Sequence, residues 1–567
     1  MKHFIYLLIL LFTNNFFGQK KYPKDYFMPP LDIPIVLSGT FGELRSNHFH
    51  SGIDIKTQGK EGLKVLASAS GYVSRIKVQQ YGYGKAIYVT HPNGYTSVYG
   101  HLSKFSSEIE RYVKAIQYKK KAYQTGNIYP KKNKFIIKKG DVIAFSGDTG
   151  GSGGPHLHFE IRDTKTENII NPMLFGILPK DDRLPVINSL HVYPISSDAR
   201  INNQFNAHKL AIKNIGKGTY IADKITASGT IGFGINTFDR LNFAPNKNGV
   251  FSIEMLVNGT RYYYHDVTTF SFAESKYLNL LIDYEYYKKY RSRIQRTFKV
   301  PANKLSIYKG LINDGKINIK ENLNYTITFL VKDFKGNTSS LKIPVFGKVS
   351  NTIFKEPKTT TNYKITANKF HKFTLNNVTI AFPKNTFYED IYLDFDVLDG
   401  VAQVHTPTVP LDKKFTLTFN VSNYSEAEKK QLYIANTTNK KYPKYELTRK
   451  KDTTFFTTTK TLGNYELLSD NHNPKVKIMY FKNNQWISKF NTLKVKISDI
   501  GSGIKNWNAT LDGVWILMEY NHKKGILTYN FNDKKLIGSK HEFKISVSDN
   551  VGNTTTATKT FFKKQSK

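Results

Sequence analysis

Four histidines and one aspartate stand in short motifs that could carry out metal-dependent hydrolysis. They are His50 and Asp54 in H-x-x-x-D, His101 in Y-x-H-L, and His156 and His158 in H-x-H. A catalytic zinc ion commonly takes three protein ligands from imidazole and carboxylate groups and leaves a fourth position for water, whose pKa falls to about 7 on the metal. Imidazoles that do not bind the metal can exchange protons near neutral pH. These residue types therefore predict one zinc site with proton-handling histidines beside it.

The H-x-H motif lies in an apolar run that predicts a strand. Alternate residues of a strand share a face, so His156, His158 and Glu160 should point to one side, with about 6.6 Å between consecutive Cα atoms. The apolar residues between them should then face the core. One histidine can bind metal while its neighbour faces the cleft. Glu160 could orient an imidazole or form a salt bridge with a neighbouring cation, and both interpretations stay open.

Taken together and in this order, the motifs resemble peptidase family M23, the lysostaphin-like or LytM-type zinc endopeptidases of bacterial cell walls. The similarity covers residues 41–45, 50–54, 98–102 and 147–162. The resemblance implies a mainly antiparallel sheet and the hydrolysis of peptide bonds in peptidoglycan stem peptides or cross-links. It also implies the role of each site residue: zinc ligands His50, Asp54 and His158, and proton-handling residues His101 and His156, which stabilise the tetrahedral intermediate.

Some neighbouring motifs are interpreted as structural. His48 forms a second H-x-H with His50 but lacks the spacing to Asp54, which places it at the edge of the cleft. His91 precedes Pro-Asn-Gly, a sequence typical of a hairpin turn. Residues 150–154 fit the G-x-S-x-G pattern of serine hydrolases, but that pattern requires a following helix, and a histidine-bearing strand is predicted instead. We therefore expect a flexible glycine loop beside the zinc cleft.

The remainder of the sequence limits where and how such an enzyme works. Residues 1–18 resemble a secretory signal, with Lys2, an apolar run and a cleavage site near Gly18, which predicts export to the periplasm or cell envelope, or beyond the cell. The apolar run is too short to span a bilayer as a helix, and an uncleaved anchor is the alternative interpretation of this segment. The chain has no cysteine, which excludes disulfides, thiolate zinc sites and cysteine peptidase chemistry.

A chain of 567 residues predicts several domains, and short strands with turn signals predict a mainly β protein. The peptidase domain is predicted at 26–179. It carries an insertion at 104–139 that is unusually long for the resembled family. Within the insertion, a helix at about 108–122 is predicted to begin with a capping box of Ser107 and Glu110. This helix either borders the substrate groove or packs elsewhere on the domain.

Three β-sandwich-like domains are predicted to follow, at 182–348, 358–470 and 472–567, with a linker at 350–361. The motif D-x-x-G-N occurs at Asp333 and again at Asp549, and it resembles the last hairpin of bacterial immunoglobulin-like domains. The first and third of these domains are therefore interpreted as immunoglobulin-like. In the middle domain, residues 422–430 are predicted to form an exposed loop.

The net charge of +39 allows two interpretations. It favours attraction to anionic envelope polymers or lipid surfaces. It also fits the lysine-rich composition of proteins from AT-rich genomes. Nucleic-acid binding is not expected, since an exported chain without a recognisable binding motif offers only charge.

Three functions therefore remain in view. The first is an active zinc endopeptidase of peptidoglycan. The second is a catalytically silent relative that activates other wall hydrolases or binds the envelope, although such relatives typically lack metal ligands that this sequence retains. The third is an adhesive or structural envelope protein, a role compatible with the first.

Overall fold

The computed structural model describes residues 22–349 and 361–564 and is mainly β. The predicted signal segment 1–18 lies outside these residues, as does the predicted linker except for Thr361. Within the described ranges, no helix is both long enough and apolar enough to cross a membrane.

An antiparallel sheet forms the centre of the N-terminal part. In spatial order its main path contains Leu37–Gly39, Ile53–Lys56, His156–Asp163, Tyr95–Leu102, Lys85–Thr90, Gly71–Val78 and Gly126–Ile128. A smaller sheet contains Lys64–Leu66, Val142–Phe145 and Lys104–Phe105, and a 3-10 turn covers Pro172–Phe175. The fully buried side chains of Tyr99 and Phe159 are packed edge to face with ring centroids 5.3 Å apart. Burial of such side chains contributes about 1.5–3 kcal/mol each and fixes the strands that carry the site.

The insertion contains the predicted helix, observed at Ser107–Lys120. The predicted capping box is wrong: the residue before the first turn is Ser106, and its side chain makes no capping hydrogen bond. Glu110 instead accepts a hydrogen bond from the backbone N–H of Phe105 at 2.9 Å. After the helix, Gly126–Ile128 and Ile136–Ile137 pair with strand Gly71–Val78. The insertion therefore extends the main sheet as well as adding a helix.

The N-terminal core is shared with the next part of the chain. Strand Ile169–Ile170 pairs with Thr269–Phe270, which comes from the following β region. The Phe270 ring lies 4.9 Å from that of Phe41 and 5.1 Å from that of Phe49, centroid to centroid. The two parts of the chain therefore bury apolar surface together.

The second region is one extended arrangement of strands around its own apolar cluster. Its main path contains His208–Leu210, Val186–Pro194, Ile225–Phe238, Thr338–Gly347, Asn324–Lys332, Ser252–Val257, Thr260–Asp266 and Tyr308–Leu311. Shorter strands are Arg200–Ile201, Ile212–Gly216, Thr219–Ala222, Gln295–Arg296 and Ile317–Ile319. Helices cover Leu278–Leu281 and Tyr284–Tyr290, with 3-10 turns at Ser275–Tyr277 and Asn313–Gly315.

The third region packs two sheets and a two-stranded pair around another cluster. The pair is Tyr363–Ile365 with Ile391–Leu393. One sheet contains His371–Leu375, Val378–Phe382, Phe415–Asn420, Thr454–Thr459 and Arg449–Lys451, and the other Phe395–Leu398, Val401–Val404, Gly463–Ser469, Leu432–Asn436 and Lys444–Tyr445. The loop predicted at 422–430 is wrong, because Glu426–Gln431 is a helix with a capping box of Ser425 and Glu428.

We call residues 475–562 the C-terminal β unit. One sheet contains Lys475–Ile478, Thr492–Ser498, Ile526–Asn530 and Glu519–Asn521, and the other Gln485–Trp486, Thr554–Phe562, Lys540–Asp549, Ile504–Leu511 and Val514–Trp515, with a 3-10 turn at Phe531–Asp533. The two D-x-x-G-N motifs form the same turn. Asp333 Oδ1 accepts from the N–H groups of Gly336 and Asn337, and Asp549 Oδ1 accepts from those of Gly552 and Asn553.

Candidate metal centre

Strand register brings the H-x-x-x-D and H-x-H motifs together. His158 lies directly opposite Asp54 on one neighbouring strand and opposite Gly100 on the other. The alternation predicted for this strand is present: its apolar residues Leu157, Phe159 and Ile161 are fully buried in the core. Since facing residues of antiparallel strands have adjacent Cβ atoms, the pairing itself places an imidazole against a carboxylate.

Three ligand atoms converge at this point. His50 Nε2 lies 3.0 Å from Asp54 Oδ1 and 3.2 Å from His158 Nδ1, and His158 Nδ1 lies 2.9 Å from Asp54 Oδ1. All three residues are buried, with at most 7 % of their surface exposed. They form a group that could hold a metal ion. The structure thus assembles the three predicted zinc ligands in one place.

The outer hydrogen bonds of the two imidazoles fix which nitrogen carries the proton. His50 Nδ1 donates to the carbonyl of Thr40 at 2.8 Å, and His158 Nε2 donates to the Glu160 carboxylate at 2.8 Å. In the neutral rings, His50 Nε2 and His158 Nδ1 therefore both present lone pairs to the centre, beside the Asp54 oxygen. Three converging lone pairs repel one another unless a cation lies between them. Two imidazoles and one carboxylate match the donor set of catalytic zinc sites.

The pKa shifts of Asp54 and His158 also favour a cation at this centre. Although burial opposes it, His50 and hydrogen bonds from neighbouring imidazoles hold the pKa of Asp54 well below its usual range. Burial also opposes the shift at His158, but Asp54 and Glu160 raise its pKa to about 9. The buried carboxylates therefore favour a positive charge at the centre, which a proton supplies when no metal is bound.

Two other groups of potential ligand atoms occur among the described residues. They consist only of carboxylates, Asp181 with Asp239 and Asp333, and Asp470 with Asp499 and Asp549. Zinc sites favour imidazole or thiolate donors, whereas purely oxygen donors suit harder cations. The group of His50, Asp54 and His158 is therefore the one suited to zinc.

The two predicted proton-handling histidines lie beside this group. The rings of His101 and His156 have centroids 4.8 Å apart, and His156 Nε2 is 3.5 Å from Asp54 Oδ1. His101 Nδ1 donates to the carbonyl of Thr149 and His156 Nδ1 to that of Gly154, each at 2.8 Å. The Nε2 atom of His101 therefore faces away from the loop, whereas that of His156 lies next to the Asp54 carboxylate. All five predicted site residues are brought together.

His101 differs from its neighbours in backbone and in charge. Its φ of 59° is uncommon for a residue other than glycine, and such conformations concentrate at functional sites. Burial, followed by the neighbouring His158 and His156, lowers the pKa of His101 to about 3. Its imidazole is therefore neutral at pH 7.

The glycine loop, residues 147–154, positions both of these histidines. Its Thr149 carbonyl holds His101, and its Ser152 Oγ lies 3.2 Å from His156 Nδ1. Within the loop, the N–H of Gly151 donates to the Gly82 carbonyl at 2.7 Å. A Cβ atom on Gly150 would lie 2.3 Å from that same carbonyl oxygen, so close packing requires glycine there. A strand follows the loop, as expected, and not the helix of a serine hydrolase.

Glu160 makes both contacts that the sequence left open. Its Oε1 faces His158, and its Oε2 accepts from Arg162 Nε at 2.6 Å. Although burial opposes it, Arg162 and His158 hold the pKa of Glu160 well below its usual range. The hydroxyls of Tyr83 and Ser51 also donate to Oε1, at 2.5 and 2.6 Å. Sequence reasoning missed both hydroxyls, and no motif marks Tyr83, which approaches through folding alone.

Arg45, the last residue of the similarity at 41–45, donates from Nη2 to Asp54 Oδ2 at 3.1 Å and fixes the carboxylate. The two histidines set aside on sequence grounds lie outside the metal group. His48 is exposed and contacts Asn47, whereas His91 is buried between the Ser70 carbonyl and the Ser97 hydroxyl.

Comparisons with known proteins place the motifs of this site in a matched family region. Residues 48–127 and 120–172 match the profile described as Peptidase family M23, and residues 362–470 match that of a Zu5-like domain. The DD-carboxypeptidase/endopeptidase Mpg of Neisseria meningitidis serogroup B is 35% identical over 119 residues, 21% of each chain. An uncharacterized metalloprotease of Haemophilus influenzae is 36% identical over 111 residues, 20% of this chain and 18% of that protein. The chain thus spans about a fifth of the length of these curated relatives.

Among solved structures, the catalytic domain of the antimicrobial peptidase lysostaphin from Staphylococcus simulans is 23% identical to this chain. The match covers 25% of this chain and 92% of that chain, with a TM-score of 0.19.

Proposed function

Because this chain contains a peptidase domain of family M23 within residues 48–172, we propose that it is an exported zinc endopeptidase that cuts peptide bonds in the stem peptides or cross-links of peptidoglycan. The observation that carries this proposal is the convergence of His50 Nε2, Asp54 Oδ1 and His158 Nδ1, each held by a second partner. The cell-wall activity implied by the family resemblance, and the DD-carboxypeptidase/endopeptidase activity in the name of the Neisseria relative, support the substrate class.

His50, Asp54 and His158 would hold the zinc ion, which supplies a Lewis acid for the scissile carbonyl and for water. The protein's own groups then manage the protons. His101, neutral at pH 7, would accept the proton of the attacking water at Nε2, and His156, when its Nε2 carries a proton, would donate it to the leaving amine. The proton held by His101 would then be returned to His156 for the next turnover. The same two rings would donate to the oxyanion of the tetrahedral intermediate. Tethering each Nδ1 to a carbonyl keeps both Nε2 atoms directed at the reacting groups.

The regions after the peptidase domain have a separate proposed role. We propose three domains, at 182–348, 358–470 and 472–567, of which the first and third are immunoglobulin-like. These domains, together with the net charge of +39, would hold the enzyme near anionic polymers of the envelope. Export by the predicted signal segment would place it there.

Digestion of purified sacculi, with analysis of the released peptides, tests the proposed activity and identifies the bond. His158→Ala should lose zinc and activity together. His101→Ala should keep zinc and lose about 10²–10⁴-fold in turnover. His48→Ala is the matched control, because it removes an exposed imidazole two residues from His50 and should change neither property.

A catalytically silent envelope-binding protein would give a different pattern. It would release no peptides from sacculi even with stoichiometric zinc, and His101→Ala would then be indistinguishable from the parent protein. Full turnover in His101→Ala would overturn the assignment of the base but leave the zinc peptidase intact.

A further inference from the structure

The C-terminal β unit packs against the peptidase domain beside the candidate metal centre. Lys85 Nζ pairs with Glu519 at 2.9 Å, and Lys114 Nζ pairs with Asp533 at 2.5 Å. Leu517 is 1 % exposed because it enters the apolar cluster of the peptidase domain. Two regions more than three hundred residues apart in sequence therefore share ion pairs and an apolar contact.

The helical insertion supplies much of the surface for this contact. Lys114 and Tyr118 both lie on helix Ser107–Lys120, and the Tyr118 ring packs edge to face on Trp515 with centroids 5.4 Å apart. The insertion therefore serves as a docking surface for the C-terminal β unit, a role that neither interpretation of the sequence anticipated.

One residue of the C-terminal β unit holds the glycine loop directly. Lys523 Nζ donates to the Asp148 carbonyl oxygen at 2.5 Å, to Asp148 Oδ1 at 2.7 Å and to the Ser152 carbonyl oxygen at 3.0 Å. These acceptors lie on both sides of Thr149, whose own carbonyl accepts from His101. Ser152 also contacts His156 through its hydroxyl. A single ammonium group therefore bridges the loop segment that orients both imidazoles.

Lys523 is suited to such a role by its surroundings. Its side chain is 28 % exposed and that of Asp148 is 19 % exposed, so the ion pair is partly shielded while solvent still reaches it. Although burial opposes it, hydrogen bonds from Lys523 and Ser152 hold the pKa of Asp148 below its usual range. Charge-assisted hydrogen bonds of this type are stronger and shorter than neutral ones, which favours one loop position.

We propose that Lys523 is a positioning residue of the peptidase: from the C-terminal β unit it holds residues 148–152 in the arrangement that orients His101 and His156. The proposal rests on the proposed peptidase function for its catalytic consequence. Its structural content, a loop held by a distant domain, does not depend on that function. The C-terminal β unit is then part of the active site as well as a candidate envelope module.

The kinetic test uses the full-length protein and a soluble cross-linked muropeptide. Lys523→Ala should lower kcat by about ten- to a hundredfold, the range expected when catalytic groups shift by a fraction of an ångström to one ångström. KM should change by less than about threefold. Zinc content should stay at the parent level, because none of the three proposed zinc ligands contacts Asp148 or Ser152, the loop residues that Lys523 holds. Lys523→Arg, which keeps a cation, should restore part of kcat.

Lys524→Ala is the matched control, since it removes a neighbouring exposed lysine whose backbone contacts survive the substitution. Asp148→Asn should lower kcat as well, and adding it to Lys523→Ala should cause little further loss, because both substitutions break one interaction. Parent-level kcat in Lys523→Ala, or an equal loss in Lys524→Ala, would overturn the proposal.

Hydrogen exchange separates this proposal from the proposed function. Amides of residues 148–154 should exchange faster in Lys523→Ala than in Lys524→Ala, since loop opening becomes easier. If the parent protein cuts no muropeptide but the exchange difference is present, the peptidase function fails and the loop contact stands. If exchange is unchanged, the positioning role is wrong whatever the activity.

Discussion

Glu160 and His158 lie two residues apart on one strand face, and Glu160 Oε1 accepts the Nε2–H of His158 at 2.8 Å. This contact decides that His158 presents Nδ1 to the metal group. Arg162 balances the carboxylate from the other side.

We expect Glu160→Gln to lower zinc affinity by about 10–100-fold, because partners that orient a metal-bound imidazole have effects of this size. Competition with a chromogenic chelator would measure the change. Glu167→Gln is a suitable control, since Glu167 also contacts Arg162 but its side chain is 48% exposed. Equal losses in both variants would show that Arg162, and not the contact with His158, sets the affinity.

Gly39 faces the metal centre from the neighbouring strand. A Cβ atom there would lie 2.5 Å from Arg45 Nη2 and 2.7 Å from Asp54 Oδ2. Gly39→Ala should therefore displace the Asp54 carboxylate and lower both bound zinc, measured by metal analysis, and turnover. Gly310→Ala, where the nearest neighbour to the added carbon is 3.6 Å away, should leave both unchanged. Full zinc occupancy in Gly39→Ala would contradict a rigid ligand arrangement.

Asp239 makes stability depend on pH. Burial, then Asp181 and Asp333, raises its pKa to about 7, against roughly 3.9 in an unfolded chain. Between these values the folded state holds a proton that the unfolded state has lost, so stability falls as pH rises, and the penalty is complete above pH 7. Asp239→Asn removes the penalty, and its stabilising effect should be about 3 kcal/mol larger at pH 8 than at pH 5.

Denaturant unfolding of Asp239→Asn and the parent at both pH values measures this difference. Asp198→Asn, which alters an exposed carboxylate on the same region, serves as the control. A stability change in Asp239→Asn that is the same at pH 5 and pH 8 would refute the proposed protonation.

Leu517 joins the C-terminal β unit to the peptidase core. Leu517→Ala should reduce the unfolding free energy of the C-terminal β unit by about 2–5 kcal/mol, the usual cost of emptying a buried leucine site. All three tryptophans of the chain, Trp486, Trp507 and Trp515, belong to this unit, so selectively excited tryptophan fluorescence reports on the unit and on its contact with the peptidase domain. Ile537→Ala, at an 88% exposed side chain, should leave the transition unchanged. An unaltered midpoint in Leu517→Ala would mean that the two parts fold without mutual support.

The sequence by itself determined the local chemistry. Residue type and spacing single out His50, Asp54, His101, His156 and His158 as candidates, because metal ligation and proton transfer allow few side chains and a strand repeats every second residue. Their separate roles come from the family resemblance. The mainly β fold and the helix of the insertion followed from periodicity for the same reason.

Only the tertiary structure decided what surrounds these residues. Tyr83, the Thr40 carbonyl and Lys523 reach the site across loops and between regions, and Lys523 follows Asp148 by 375 positions. No local pattern encodes such contacts, because they depend on how separately formed sheets pack. Two local predictions were wrong: the capping box of the insertion helix, and the loop at 422–430, which contains the helix Glu426–Gln431. Several polar residues can cap a short helix, and contacts with neighbouring segments select one of them. The candidate ligands thus lie in local motifs, while the proposed positioning of the acid and base involves a distant lysine.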